Sequence, residues 1–347
     1  DLGLTQEQVA RRMGLPHRQT LGAIENGERK IQPAELAAAA QALDVPPDYF
    51  TDRFSAGGEA SFSFRADPIP EDALRSFEEQ AGRWLATYRE LGRPSVVRRS
   101  LALSRQDSYE DAQQAGEETR RELGLGDYPA FELEEALGRE WGILVLYVDP
   151  PVGVCGAASR LNEVQAILIN RNEPRGRRHY DLAHELFHLL TWDTIPPPRL
   201  DATSPPRGQK RMEELANNFA AALLMPRRSV EECWAEHETL PLVDRIRATA
   251  ARFGVTGPAM KWRLLNLDLI TRTDVPADSD VAGVPIPGEQ HDGVRPQLFN
   301  TRFVNRLHRA VEEGRLSVRK ASRIAGTDTA GLADLFRSHG RSLSYDV

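Results

Sequence analysis

The stretch Ala183-His184-Glu185-Leu186-Phe187-His188 decides how the rest of the chain is read. His184 and His188 are four residues apart, so on a helix they stack on one face and can offer two imidazoles to one metal ion. Glu185 projects about 100° further round, off the ligand line, where its carboxylate can take a proton from an activated water. Those are the mechanics of the HExxH arrangement of zinc hydrolases. Tyr180, Leu182, Ala183, Leu186, Phe187, Leu189 and Leu190 predict a helix buried nearly all round, which would hold the ligands rigid. The bland alternative is a chance match on a core helix, on the order of one in a hundred for such a chain. The neighbouring sequence has to decide.

The 347 residues give room for two or three domains with a sizeable core. A net charge of -7 argues against coating nucleic acid through bulk charge, while leaving room for a local basic patch. The two cysteines, Cys155 and Cys233, lie far apart and fit a reducing compartment better than a disulfide framework. No apolar run reaches the roughly 18 residues of a membrane span. No signal peptide is visible, so a cytoplasmic protein without membrane contact is expected.

Near the start, Thr5 and Gln8 predict a capping box for a helix through Val9, Ala10 and Met13, ended by Gly14. After a turn at residues 15–18, Gln19 to Gly27 reads as a second helix stopped by Asn26-Gly27. Ile24-Glu25-Asn26-Gly27-Glu28-Arg29, and Leu43-Asp44-Val45 ahead of Asp48-Tyr49-Phe50, resemble the lambda-repressor-like (XRE) helix-turn-helix, without the helix that usually precedes Thr5. The resemblance implies DNA as a partner. Arg18, Gln19 and Thr20 would reach base edges from the start of the recognition helix, and Arg29 and Lys30 would take phosphate. A bundle that mediates protein contacts alone is the competing reading.

Residues 54–66 are small and polar around Gly57 and Gly58 and read as a connector. Leu74, Phe77, Ala81, Trp84, Tyr88 and Leu91 then recur at helical spacing, as core more than as a ligand box, and a second helix is expected over about 109–123. An amphipathic helix at 131–140 precedes three strand candidates at 143–148, 154–160 and 164–170. An extended substrate could pair with a strand beside the metal, such as Val164 to Asn170. The alternation there leaves either strand face free to be the buried one.

Zinc needs a third protein ligand if a fourth position is to stay open for water. Residues 211–225 form a second apolar helix stopped by Pro226, and either Glu213 or Glu214 could supply a carboxylate. Tyr180-Asp181-Leu182-Ala183-His184-Glu185-Leu186-Phe187-His188, with Glu213, Ala216, Asn217, Phe219, Ala220 and Leu223-Leu224-Met225-Pro226, resembles the ImmA/IrrE family of zinc-dependent peptidases. The resemblance covers roughly 125–270 and implies a zincin-like fold, a Zn2+ cofactor and Glu213 as the third ligand. It departs at Phe187, where many members carry Gly and where the added bulk would narrow the cleft. An XRE head followed by this peptidase is an arrangement known in the family, and some such members cleave a repressor encoded nearby.

His179 and Tyr180 are both placed to stabilise an oxyanion beside the metal. Cys155, next to Gly156 on a strand bordering the metal helix, reads as a buried structural thiol or as a thiolate cap on zinc. Residues 274–296 read as a linker, followed by helices joined at Gly326 in an accessory module.

The expected protein is therefore mainly helical α+β: an N-terminal helix-turn-helix bundle (1–53), a connector and helical region (54–124), a peptidase domain with a small antiparallel sheet (125–270), and a helical C-terminal extension (271–347). Its expected function is site-specific zinc endopeptidase action on a partner transcriptional repressor, switching on a stress or defence response. Glu185 would be the base, and His184, His188 and Glu213 the ligands. A homodimer is compatible with this reading. The alternative is a non-catalytic XRE-type regulator that keeps the peptidase fold for sensing or dimerisation.

Overall fold

The computed structural model describes residues 4–45, 47–54, 60–66, 69–92, 97–196, 209–273, 275–282 and 295–344. Gly57, Gly58 and residues 283–294 of the expected linker lie outside them. Helices α1 (Gln6–Arg12), α2 (Arg18–Glu25), α3 (Pro33–Ala42) and the single turn α4 (Asp48–Thr51) form the N-terminal bundle. The expected capping box is present: the Gln8 amide donates to Thr5 Oγ1 at 3.2 Å and the Thr5 amide to Gln8 Oε1 at 2.7 Å. Two backbone donors that the first turn leaves unused are thereby satisfied. Gly14 has φ of +70°, which lets the chain reverse between α1 and α2. Ala10, Met13, Leu21 and Ala39 close a small core separate from the rest.

Part of the stretch expected to be a connector is a strand, β1 (Ser61–Ala66). Phe62 and Phe64 alternate with Ser61 and Ser63, a two-residue period whose apolar face is stable only against a sheet. That sheet is supplied by β2 (Leu144–Val148), β3 (Val154–Leu161) and β4 (Val164–Asn170), in the order β1-β3-β4-β2. The expected antiparallel sheet is in fact mixed. β3 runs antiparallel to β1 and β4, while β2 pairs with β4 in parallel. Parallel pairs are found where both sheet faces are covered, and both are covered here. Ile167 and Ile169 belong to one core, Ala166 and Leu168 to the other, so the question of which face of β4 is buried resolves to both. β4 also lies inside the sheet, hydrogen-bonded on both edges. It cannot be the strand that pairs with a substrate.

One face is covered by α5 (Glu71–Leu91), whose expected stripe from Leu74 to Leu91 is buried, together with helices from the C-terminal end of the chain. On the opposite side, α6 (Tyr109–Glu122) precedes a segment expected to be one helix at 131–140. That segment is broken into a 3-10 turn (Pro129–Phe131), α7 (Leu133–Ala136) and a wide π turn (Leu137–Trp141). Next come α8 (Arg175–Leu190), which packs beneath β3 and β4, and α9 (Gln209–Leu224), which packs against both α8 and α6. α10 (Arg227–Glu236), α11 (Leu242–Arg252), α12 (Gly257–Asn266) and α13 (Asp278–Val281) complete that layer.

Finally, α14 (Thr301–Glu312), α15 (Val318–Ala325) and α16 (Thr329–Ser338) return to the α5 side. There Trp84 Nε1 and Gln80 Nε2 both donate to the Ile324 carbonyl at 2.8 Å. The accessory helices thus form part of the wall behind the sheet. Among the described residues no helix is long and apolar enough to cross a membrane.

Candidate metal centre

α8 carries ten consecutive buried residues from Asp181 to Leu190, with the sheet on one side and α9 on another. Two of its histidines, His184 and His188, turn towards α9. His184 Nε2 and His188 Nε2 are 3.1 Å apart, and Glu213 on α9 brings Oε2 to 3.1 Å from His184 Nε2 and Oε1 to 3.7 Å from His188 Nε2. In a tetrahedral zinc site with bonds of about 2.0–2.1 Å, neighbouring donors stand roughly 3.3 Å apart. The spacing and the donor set, two neutral imidazoles and one carboxylate, both fit zinc. Among the described residues these three are the group that could hold a metal ion.

Which glutamate faces the histidines is decided by α6. Gly116 lies so close to α9 that a Cβ there would sit 2.4 Å from the Phe219 carbonyl oxygen and 3.0 Å from the Leu223 nitrogen. At that separation the Tyr109 hydroxyl donates to Glu214 Oε2, and Gln113 Nε2 donates to Asn218 Oδ1 at 2.9 Å. Glu214 is held on the α6 side of α9, and Glu213 is left on the α8 side.

One turn after Glu213, Asn217 Oδ1 lies 3.1 Å from His184 Nδ1. With Nδ1–H donating to that oxygen, the lone pair of His184 stays on Nε2, where the metal would sit. Tyr180 fastens the same turn by donating from its hydroxyl to the Asn217 carbonyl at 3.0 Å. Asn217 was visible in the sequence as the residue four after Glu213, on the same helical face, but its task depends on where α8 lies.

Glu185 turns away from the ligand line towards β3 and is wholly buried. A Cβ at Gly156 would come within 3.2 Å of Glu185 Cγ, so the strand passes directly over the carboxylate because that position is glycine. Phe187 sends its bulk into the core against Phe219, at 5.6 Å between ring centroids, and not into a cleft.

His179 and Tyr180 are both engaged by carbonyls. His179 Nδ1 is 2.8 Å from the Gly254 oxygen and its ring meets Phe131 edge-on. Cys155 is outside the three-ligand group. Arg177 donates to its sulfur at 3.5 Å, and burial pushes the thiol pKa up, against thiolate formation.

At the other end, Arg18 and Gln19 are exposed at the start of α2, Thr20 is half-buried and Lys30 is exposed. Arg29 is half-buried and forks onto Glu35 with both bonds at 2.9 Å, which ties the α2–α3 turn to α3. A phosphate contact by Arg29 would have to share the guanidinium with Glu35.

A helix-bound His-His-Glu group under a small mixed sheet, in a chain headed by a helix-turn-helix bundle, defines the class: a metallopeptidase-type domain joined to a domain of DNA-binding type. Residues 140–265 match the IrrE N-terminal-like domain of peptidase family M78, and residues 1–50 match the helix-turn-helix family. The chain therefore carries an IrrE N-terminal-like domain behind an N-terminal XRE-type helix-turn-helix domain. No curated protein matches the chain.

Proposed function

We propose that the chain is a zinc-dependent endopeptidase that cuts a protein partner, with the helix-turn-helix head bringing it to DNA where that partner, a transcriptional repressor, is bound. The observation that carries this reading is the convergence of His184, His188 and Glu213, with Glu185 buried beside them and off the ligand line. His184 Nε2, His188 Nε2 and a Glu213 carboxylate oxygen would hold the ion. Bound there, zinc would supply a Lewis acid and a water acidified towards neutrality. Glu185 would take the proton from the attacking water and return it to the leaving nitrogen of the cut peptide. Asn217 keeps His184 in the tautomer the ion needs. Tyr180 would serve an oxyanion only after giving up its bond to the Asn217 carbonyl, whereas His179, held at Nδ1 by the Gly254 carbonyl, would serve one from Nε2.

The test is co-expression with candidate repressors, read by immunoblot and by a promoter reporter. Wild type should cut the repressor and release the promoter, while Glu185→Gln keeps its zinc and does neither. His188→Ala should lose most of the zinc. If Glu185→Gln leaves the repressor intact yet releases the promoter as fully as wild type, the protein acts by binding and not by proteolysis.

A further inference from the structure

Glu185 has no exposed surface, yet as a general base it would have to meet both the attacking water and the leaving nitrogen of a peptide. The backbone that roofs it is β3 at Gly156. An extended peptide laid along the outer edge of β3 would pass beside that roof, with its main chain hydrogen-bonded in the way sheet edges capture strands. In this structure that edge is taken by β1. Its register sets Phe62 opposite Ser159, Ser63 opposite Ala158, Phe64 opposite Ala157, and the backbone of residue 65 opposite Gly156.

β1 has the character of a resident guest. It lies outside residues 140–265, the part that matches the peptidase domain, and the three strands β3, β4 and β2 form a sheet within that part. It is six residues long and, among the described residues, pairs on one side only. Its ladder is irregular between Arg65 and Ala66, next to the position opposite Gly156. A short edge strand with a broken register end is held less firmly than an interior strand.

We propose that the outer edge of β3 is the substrate-binding edge and that Ser61–Ala66 occupies it as an internal stand-in for substrate, which must leave before a substrate strand can enter. The occupant also states the class of substrate. Phe62 and Phe64 stack at 5.5 Å between centroids on the α5 face, where Phe64 meets Phe77 at 6.2 Å. Ser63, on the opposite face with Ala158, is small and buried. A segment able to replace β1 is extended, antiparallel to β3, aromatic at two alternating positions, and small at the position between them. Cleavage would fall near the residue that comes to lie opposite Gly156. This deepens the proposed peptidase function and rests on it for the cleavage step alone, because the exchange of strands is a binding event.

The test uses the full chain carrying Glu185→Gln, so that nothing is cut, and Cys155→Ser. The probe is a fluorescein-labelled peptide with the sequence of residues 60–66 flanked by lysines, followed by anisotropy. Ser63→Cys with Ala158→Cys joins β1 to β3 when oxidised, since directly opposed residues of an antiparallel pair are within disulfide reach. Mass spectrometry reports the bond. Binding is expected in the reduced protein, to weaken at least about tenfold on oxidation, and to strengthen about tenfold in Phe64→Ala, because a larger fraction of molecules then has the edge open. A peptide with serine at both aromatic positions should not bind.

Equal binding by the oxidised and reduced forms, or no binding by any form including Phe64→Ala, overturns the proposal. Restoring Glu185 separates the two ideas. If the exchange behaves as expected but no zinc-loaded form cuts the peptide or a partner protein, the enzymatic reading fails and the edge assignment stands. If the cross-linked enzyme cuts as fast as the reduced one, the edge assignment fails and the enzymatic reading stands.

Discussion

Asn217→Ala should weaken zinc binding far more than it weakens the fold. When zinc occupies Nε2 of His184, the ring hydrogen must sit on Nδ1, and in a side chain with no exposed surface the Asn217 oxygen at 3.1 Å is its acceptor. A buried donor left without an acceptor costs about 1–3 kcal/mol. Without metal the variant escapes that cost, because the hydrogen can move to Nε2 and bond to Glu213 Oε2, 3.1 Å away. The penalty therefore falls on the metal-bound state alone. At about 1.4 kcal/mol per decade it raises the zinc Kd roughly 5- to 150-fold, in line with the roughly 10- to 100-fold known for partners of ligating histidines. Asn217→Asp, which keeps an acceptor and adds charge, should bind zinc at least as tightly as wild type. The assay is competition with a zinc-chelating fluorophore at pH 7, beside thermal melts of the metal-free proteins. A Kd for Asn217→Ala within twofold of wild type would refute the tautomer argument. So would an equal loss in Asn217→Asp.

Gly116→Ala places a methyl 2.4 Å from the Phe219 carbonyl oxygen, and should destabilise the domain by roughly 1–3 kcal/mol. Urea unfolding measures this, and an unchanged midpoint would mean that α6 does not set the position of α9. Burial pushes the Glu78 carboxyl on α5 up to about 7. Since this folded pKa lies above the unfolded one, the folded state binds the proton more tightly. The contribution to stability is fully present below the usual carboxylate range and is lost as pH rises towards 7. Glu78→Gln should therefore gain stability over wild type at pH 8 and show little difference at pH 4, in denaturation at the two pH values. DNA binding by the head should weaken steeply with salt. Gln19→Ala should relax sequence preference while Lys30→Ala lowers affinity for all sequences alike, as competition binding with matched and scrambled duplexes would show.

His184, Glu185 and His188 were legible in the sequence because their relation is local. A single helical turn fixes two imidazoles on one face and a carboxylate off it, whatever the rest of the chain does. The Thr5–Gln8 capping box and the buried stripe of α5 were legible for the same reason, each set by residues within a few turns of one another. Glu213 and Glu214 are a different case. Neighbouring residues on a helix differ only in the face they occupy, and the face that meets α8 is set by Gly116 and Tyr109, about a hundred residues earlier in the chain.

β1 escaped for a related reason. Four alternating serines and phenylalanines have no partner nearby in sequence, and a strand exists only where another edge receives it. The partner is β3, about ninety residues downstream. Likewise the mixed order of the sheet, which puts β4 inside and leaves β3 facing β1, is a matter of which strands meet. Local patterns chose most of the helices and the face that carries both imidazoles. The contacts between distant segments decided which glutamate reaches the histidines and which strand lies over Glu185, because rotation of a helix and pairing of a strand are settled by the surface that receives them.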